Sequence, residues 1–329
     1  MLKRTSLLNI VCAAACAAVL FASQAGAVEF PTKEIRMIVP YKAGGQSDLA
    51  ARKLAEICQK KGFLPQTVLV VNMSGANTLE GLRAVRDAKP DGYTLLLHHT
   101  SMLTMDAMGT LNLDWRKAFD MVCQVMEVPY VFSVKAKRDD GKEWKSLTEF
   151  VADAKANPGK YIVSIQGTGG SAHFAGMQTI LALGFDKDVK YMPLTGGNDS
   201  ATALMAGRVD IRPAPSSDVA RFVRSGDERV LAFINDTPSD KFPGAQLSAD
   251  LGVKNAIKMR SGIWTTKGTP GEVVAILTDA FKKAIETDEF REFMDSQTAE
   301  PVFLSGEEWR PLFEKDAENI NTLAKDIKK

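Results

Sequence analysis

Short β-rich runs and helical runs alternate along nearly the whole of this sequence. TVLVVN (67–72), YTLLLHH (93–99) and YIVSIQ (161–166) have the apolar and β-branched content of strands. Helical spacing follows in stretches such as GLRAVRDA (81–88) and SAHFAGMQTILALG (171–184). A strand, a helix and a further strand in succession are typical of parallel sheets covered by helices. We therefore predict an α/β protein with doubly wound, parallel sheets.

Two of the strand-to-helix junctions contain a pair of glycines. PYKAGGQSD (40–48) follows the apolar run IRMIV (35–39), and GTGGSAH (167–173) follows YIVSIQ. Glycine permits sharp bends in which backbone N–H groups converge, and the next helix adds its own free N–H groups. Two such turns that face each other would hold an anion from both sides. Ordinary turn glycines are the alternative, and neither stretch has the spacing of a nucleotide phosphate loop.

Size and charge narrow the class of protein. The chain has 329 residues, of which 45% are hydrophobic, and this length favours two α/β lobes over one. The 41 basic and 40 acidic residues give a net charge of +1. A nucleic-acid-binding or membrane-surface protein would have an excess of clustered basic residues, so we expect no nucleic-acid partner.

The first 27 residues have the features of an export signal. Lys3 and Arg4 precede an apolar stretch from about Leu7 to Ala22, and small residues follow at 25–27. The apolar stretch is shorter than the roughly 20 residues of a membrane span. We predict a signal peptide at 1–27 that is cleaved to leave an exported chain. An uncleaved anchor and a lipoprotein are the alternatives.

Cysteine and histidine are scarce outside this segment. Cys58 and Cys123 are predicted to be buried free thiols, with a disulfide as the alternative. The pair His98-His99 ends a predicted strand and lacks metal-ligand spacing, so we interpret it as a hydrogen-bonded strand end. No metal or cofactor site is expected.

Asp48 and His173 are the candidates for acid–base chemistry. They could serve as base and acid of an exported hydrolase, but no common catalytic motif accompanies them. The alternative for Asp48 is to cap a helix that begins at Leu49, and His173 could contact a ligand or cap its own helix.

Several segments, in order along the chain, resemble the substrate-binding proteins of tripartite tricarboxylate transporters, also called the Bug family. The glycine pairs belong to two of them. The segments are PYKAGGQSDLAARKLAE, FPTKEI (30–35), VVNMSGANTLEG (70–81), KPDGYTLLL (89–97), GTGGSAH, MPLTGGNDSATALMAGRVD (192–210) and GTPGEVVAIL (268–277).

This resemblance implies a periplasmic binding protein of type II-like fold, with two α/β lobes joined by crossover strands around a ligand cleft. Residues 28–126 and 233–329 would form lobe one, and 127–232 lobe two. The resemblance further implies a monomer without catalysis that binds a small organic carboxylate and delivers it to membrane subunits of the transporter. An accessory receptor for ligand sensing is the alternative.

The resemblance also assigns site residues to the two turns. Those carried over from lobe one are Tyr41, Ala43, Gly44, Gln46, Ser47 and Asp48. Those from lobe two are Gly167, Thr168, Gly169, Ser171 and His173, flanked by Gly196, Gly197 and Asn198. Polar residues near strand ends are predicted to form the wall between the lobes, because open α/β sheets bind ligands there: Thr100, Ser101, Ser164, Gln166 and Ser216.

Arg212 departs from the family pattern, in which a small or apolar residue is usual. If its side chain points into the cleft, it would bind a second carboxylate of the ligand directly. If it points outward, it has no role in binding.

Overall fold

The computed structural model describes residues 29–235, 237–253 and 255–328, so the predicted signal peptide lies outside the described residues. The strands are β1 (Ile35–Val39), β2 (Val68–Asn72), β3 (Thr94–His99), β4 (Phe119–Val128), β5 (Tyr130–Lys135), β6 (Ile162–Gln166), β7 (Lys190–Leu194), β8 (Arg212–Pro215), β9 (Glu228–Ile234), β10 (Gln246–Leu247), β11 (Met259–Thr266) and β12 (Glu300–Ser305). The helices are α1 (Gln46–Lys61), α2 (Leu79–Arg86), α3 (Ser101–Met108), α4 (Trp115–Ala118), α5 (Leu147–Ala156), α6 (Ser171–Leu183), α7 (Gly197–Met205), α8 (Ser216–Ser225), α9 (Gly271–Ile285), α10 (Asp288–Ser296) and α11 (Gly306–Ile327).

Two groups of strands define the two lobes. Within the described residues, six strands form the sheet of lobe one in the order β12–β4–β11–β3–β1–β2. Lobe two contains a sheet of order β10–β9–β5–β8 and the pair β6–β7. A bridge between Val163 and Ile211 brings β6 against the residue that precedes β8. The α/β architecture predicted from the sequence is confirmed.

The sheets are mixed, which corrects the prediction of parallel sheets. The pairs β1–β2, β1–β3 and β6–β7 are parallel, as strands linked by helices should be. The pairs β3–β11, β4–β11, β5–β8 and β5–β9 are antiparallel. The reason is that the chain leaves lobe one on β4 and returns to it on β11, in the opposite direction.

The chain crosses between the lobes next to β4, β5 and β11. The chain leaves lobe one at the end of β4, Val128, and β5 of lobe two begins at Tyr130. Strand β10 is hydrogen-bonded to β9, so the return to lobe one falls between Leu247 and Met259. This return is later than the boundary at residue 232 that the sequence suggested, because β10 was not recognised as part of the second sheet.

Most helices lie where the sequence placed them, but α1 begins earlier. It starts at Gln46 rather than Leu49, so Asp48 belongs to its first turn. Ser146 caps α5 as its capping pattern predicted, with the Oγ accepting the Glu149 amide at 3.1 Å. No helix in the described ranges combines the length and the apolar content that a bilayer crossing requires.

Aromatic side chains fill the centres of both lobes. Trp115, Trp264 and Trp309 are at most 1% exposed and pack together with Phe313 in lobe one. Trp144 packs edge-on against Phe150 and Tyr161 in lobe two. Both groups of rings belong to one continuous cluster of buried apolar side chains that extends through the two lobes.

Both described cysteines are free and buried, as their positions predicted. Burial raises the pKa of the Cys58 thiol to about 12 and that of Cys123 further still. A thiol with so high a pKa is not a nucleophile at neutral pH.

Candidate functional site

The first glycine turn connects β1 to α1. Gly44 has a φ of 79°, in the left-handed region that favours glycine, and Gly45 has φ −80° and ψ 165° as the N-cap of α1. The Gly44 N–H donates to Asp48 Oδ2 at 2.8 Å. This bond ties the turn to the third residue of the helix that follows it.

The second glycine turn, between β6 and α6, has the same backbone. Gly169 has a φ of 79°, and Gly170 has φ −80° and ψ 170° as the N-cap of α6. The Gly169 N–H donates to His173 Nδ1 at 3.2 Å, and His173 is again the third residue of its helix. We call the bonds to Asp48 and His173 the latches of turn one and turn two.

Each latch occupies one backbone N–H group of its turn. The N–H groups of Gly44 and Gly169 are occupied by them, whereas the first amides of both helices donate to no residue in the described part of the chain. Neither helix has a side-chain cap. In contrast, α11 is capped by Ser305, whose hydroxyl accepts the Glu308 amide. The starts of α1 and α6 therefore keep unpaired donors and the positive end of the helix dipole.

Both turns are tied to the same crossover. Gln46 Nε2 contacts Met126 Sδ at 3.8 Å near the end of β4, and the Tyr130 hydroxyl at the start of β5 donates to Ser171 Oγ at 2.7 Å. A Cβ at Gly169 would lie 3.6 Å from Met108 Cγ of lobe one. The two helix starts thus converge from opposite lobes on residues 126–130.

The latch residues have different electrostatic surroundings. Burial alone would raise the pKa of Asp48, but hydrogen bonds from Arg52, Gly44 and Asn72 lower it below its ordinary value. Arg52 forms a salt bridge with Asp48 at 2.9 Å. Burial lowers the pKa of His173, so its imidazole is neutral at pH 7 and Nδ1 can accept. Both side chains act as structural acceptors here, and the acid–base role considered for them has no support in this geometry.

Tyr41 belongs to a chain of polar groups at the end of β3. Its hydroxyl lies 2.9 Å from Ser101 Oγ and 3.3 Å from His98 Nε2, and its ring stacks on His99 with centroids 4.7 Å apart. Burial raises the pKa of the Tyr41 phenol, Ser101 opposes this, and Tyr130 of the other lobe raises it further.

In lobe two, Gln166 and Asp218 connect the end of β6 to the first turn of α8. Gln166 Nε2 donates to Asp218 Oδ2 at 3.1 Å, while Gln166 Oε1 is buried and has no partner in the described chain. Burial raises the pKa of Asp218, and Gln166 and Arg212 oppose the increase. Gly197 lies against this carboxylate, since a Cβ there would lie 2.2 Å from Asp218 Oδ2.

A groove of about 680 Å³ opens beside turn two. Asn77 contributes from lobe one, in a loop where residues 76–78 all have positive φ. The lobe-two lining comprises Gly167, Thr168, Pro193, Leu194, Thr195, Asp199, Thr202 and Arg208. Two predicted site residues, Gly167 and Thr168, lie here, whereas Ala43 is exposed in turn one and Ser47 is buried in α1. Asn198 is exposed and accepts from Arg221.

Three residues predicted for the wall between the lobes are buried, and their hydroxyls have protein partners. Thr100 Oγ1 donates to the Lys258 carbonyl and accepts the Arg260 amide. Ser164 is bonded to Ser200, and Ser216 donates to the Thr298 carbonyl of lobe one. These hydroxyls join structural elements, and the role of the three residues in the wall between the lobes stays a prediction. Polar residues at strand ends can face neighbouring backbone as readily as solvent.

Arg212 points neither into the cleft nor to solvent. It is fully buried and forms a two-pronged ion pair with Glu228, with Nε and Nη2 at 3.0 and 2.9 Å from the carboxylate oxygens. Its Nη2 also donates to the Asp218 carbonyl. The pair neutralises a charge that lobe two could not otherwise bury. The proposed anchor for a second ligand carboxylate is therefore corrected to an internal ion pair.

Sequence reasoning did not select His99, Tyr130 or Asp218 for the site. One feature of the sequence could have identified His99. It ends β3, which runs parallel to β1, the strand that leads into turn one. Tyr130 and Asp218 come together with the turns only through tertiary contacts.

The family is decided by sequence comparison. A profile of the tripartite tricarboxylate transporter family receptor matches residues 50–328. The chain belongs to this family. The receptor is 31% identical to a UPF0065 protein of Bordetella pertussis, over 91% of this chain and 90% of that one. It is 28% identical to Protein BugT of the same organism, over 88% and 87% of the two chains.

Solved structures agree with this assignment. A TctC solute-binding protein from Polaromonas is 26% identical, with a TM-score of 0.73 over 90% of the receptor and 99% of that chain. MatC from Rhodopseudomonas palustris with bound malate is 21% identical, with a TM-score of 0.75 over 90% and 100%. An R. palustris protein with adipate is 20% identical, with a TM-score of 0.78 over 90% and 98%. The last two show the fold, and the family consists of periplasmic solute-binding receptors rather than enzymes.

Proposed function

We propose that this receptor binds a small organic carboxylate between its lobes, through the free amides at the starts of α1 and α6. The observation that carries the proposal is the repeated turn: in each lobe a latched glycine leaves an uncapped helix start directed at the crossover. A carboxylate accepts several N–H groups at once, and charge-assisted hydrogen bonds are roughly twice as strong as neutral ones.

A ligand held by both lobes would also close them. The lobes are joined at residues 128–130 and by the return that precedes β11, and hinges at such positions let two domains close around a ligand. Malate and adipate are bound by proteins that share this fold, which makes C4 to C6 diacids the first candidates for its ligand.

Binding is tested on the chain from residue 28, unfolded and refolded to remove carried-over ligand. Titration calorimetry with malate, succinate and adipate should give saturable binding to at least one acid, accompanied by a smaller radius of gyration in solution scattering. If the folded, stripped protein binds none of these acids or their C3 to C8 homologues, the proposal is overturned.

Delivery to transporter membrane subunits is the second part of the proposal, and it rests on family membership. Deleting the receptor gene or the membrane-subunit genes should abolish growth on the identified acid to the same extent. Normal growth combined with a lost transcriptional response to the acid would assign the receptor to sensing instead.

A further inference from the structure

The polar groups around Tyr41 have only one consistent arrangement of protons. His98 Nδ1 lies 2.9 Å from the His99 carbonyl, which can only accept, so Nδ1 carries the proton of His98. In a neutral His98 ring Nε2 is then an acceptor, and the Tyr41 hydroxyl 3.3 Å away donates to it. With its proton occupied, the Tyr41 oxygen accepts from the Ser101 hydroxyl at 2.9 Å.

The same reasoning fixes the tautomer of His99. The Ser101 amide donates to His99 Nδ1 at 3.1 Å, so Nδ1 has no proton and Nε2 has one. Burial, and secondarily His98, lower the pKa of His99 well below its ordinary value, so the ring stays neutral in this tautomer at physiological pH.

His99 Nε2–H is the donor of this group that has no partner. It forms no hydrogen bond to any described residue, and His99 as a whole is 8% exposed. Its ring face is covered by Tyr41, with an interplanar angle of 8°. The hydroxyl protons of Tyr41 and Ser101, in contrast, are already donated within the group.

A fixed, partly desolvated N–H on a ring held by stacking recognises an acceptor and disfavours a cation. It lies on lobe one beside turn one, where the amides of α1 would already hold a carboxylate. We propose that His99 Nε2–H binds a second acidic group of the ligand and makes the receptor selective for dicarboxylates over monocarboxylates. This inference rests on the proposed function and adds to it the residue that distinguishes a diacid from a monoacid.

The tautomers are tested first, without any ligand. The chain has three histidines, so long-range proton–nitrogen correlation spectra at pH 7 contain three imidazole spin systems that His98→Gln, His99→Gln and His173→Asn variants assign. We expect His98 protonated at Nδ1 and His99 at Nε2. A His99 protonated at Nδ1, or charged at pH 7, overturns the inference.

Selectivity is tested with matched pairs of acids, succinate against butyrate and adipate against hexanoate, by titration calorimetry. The wild type should bind one diacid at least tenfold more tightly than its monoacid, because a charge-assisted hydrogen bond contributes about that factor. His99→Phe keeps the stack on Tyr41 and should reduce the ratio to near one, while monoacid affinity changes less than threefold. His99→Gln, which keeps an N–H donor, should retain most of the ratio.

The outcomes separate the two proposals. A wild type that binds no acid overturns the proposed function, and the inference with it. Tight diacid binding with an unchanged ratio in His99→Phe, or an equal affinity for diacid and monoacid in the wild type, overturns the role of His99 alone. On saturation with the preferred diacid, the His99 Nε2 resonance should shift while that of His98 stays in place.

Discussion

The two glycine turns have the same backbone and different latches. Gly44 and Gly169 share a φ of 79°, and the glycines after them agree within 5° in ψ. Turn one is closed by a carboxylate and turn two by a neutral imidazole. The difference teaches that the turn needs an acceptor at the third helical position, and that the charge of this acceptor can vary.

The charge of the latch determines what must surround it. Asp48 is paired with Arg52 one helical turn later, so the charge of this latch is neutralised. The equivalent position in turn two is Met177, which suits a neutral His173. Each lobe thus presents its amides without an uncompensated negative charge beside the expected anion.

The largest loss of affinity is expected from Gly44→Val and Gly169→Val. A β-branched residue is strained at a φ of 79°, so the turn and its latch should rearrange and ligand affinity should fall more than 100-fold. Gly184→Val is the matched control, since Gly184 has positive φ and open space but lies at the end of α6. All three should lose about 1–2 kcal/mol of unfolding free energy in urea titrations. Near-wild-type affinity in either turn variant would refute the two-turn model.

The next largest effect is expected from exchanging the latch of turn two, in His173→Asp. The carboxylate can still accept the Gly169 amide, but without an arginine its charge repels the ligand. Affinity should fall about 100-fold, equivalent to ~3 kcal/mol.

Adding Met177→Arg to His173→Asp should recover most of the loss, because it rebuilds the ion pair of turn one. Met177→Arg alone is the control, and calorimetry measures all three. If His173→Asp binds like the wild type, latch charge is irrelevant to the ligand.

Lowering the pH should disrupt turn two but not turn one, and ligand affinity should fall several-fold. Since burial lowers the pKa of His173, the latch is intact at neutral pH and is lost as the pH falls through that lowered value, where Nδ1 gains a proton. Asp48 also has a lowered pKa and remains ionised in the same range. Affinity measured from pH 8 downward should stay constant past the ordinary histidine pKa of about 6.5 and decrease only below it. His173→Asn, whose side-chain carbonyl accepts at any pH, should lack this decrease.

The smallest effect on ligand affinity is expected from replacing Arg212, the buried cation of lobe two. Arg212→Met leaves Glu228 buried and unpaired, which should cost about 3–5 kcal/mol of unfolding free energy. Affinity of the folded protein should change less than twofold, and Arg212→Met with Glu228→Gln should regain most of the stability. A large affinity loss at unchanged stability would return Arg212 to the binding site.

The sequence predicted those parts of the fold and site that depend on local pattern. Glycine pairs between a strand and a helix are typical of a sharp turn, so both turns were located from the residues alone. The partner of Arg212 lies 16 residues away on another strand, and no periodicity indicates it. The antiparallel crossovers were missed for the same reason, because strand direction depends on which lobe the next strand joins.

Prediction was also limited where a side chain had several possible partners. Ser164 lies in the middle of β6 and Ser216 begins α8, and hydrogen bonds to Ser200 and Thr298 occupy their hydroxyls. His99 looked like an ordinary strand end until the direction of each hydrogen bond was known. Such directions follow from three-dimensional contacts, and they separate an occupied donor from a free one.

The tryptophans have a practical consequence for spectroscopy. All four are at most 3% exposed and lie in the lobe interiors, three in lobe one and one in lobe two. Closure of the lobes around a ligand would leave their environments nearly unchanged, so intrinsic fluorescence should respond weakly to binding and strongly to denaturant. The substitution Trp144→Phe would give an emission signal from lobe one alone, and comparing the two unfolding curves would reveal whether the lobes melt together or in sequence.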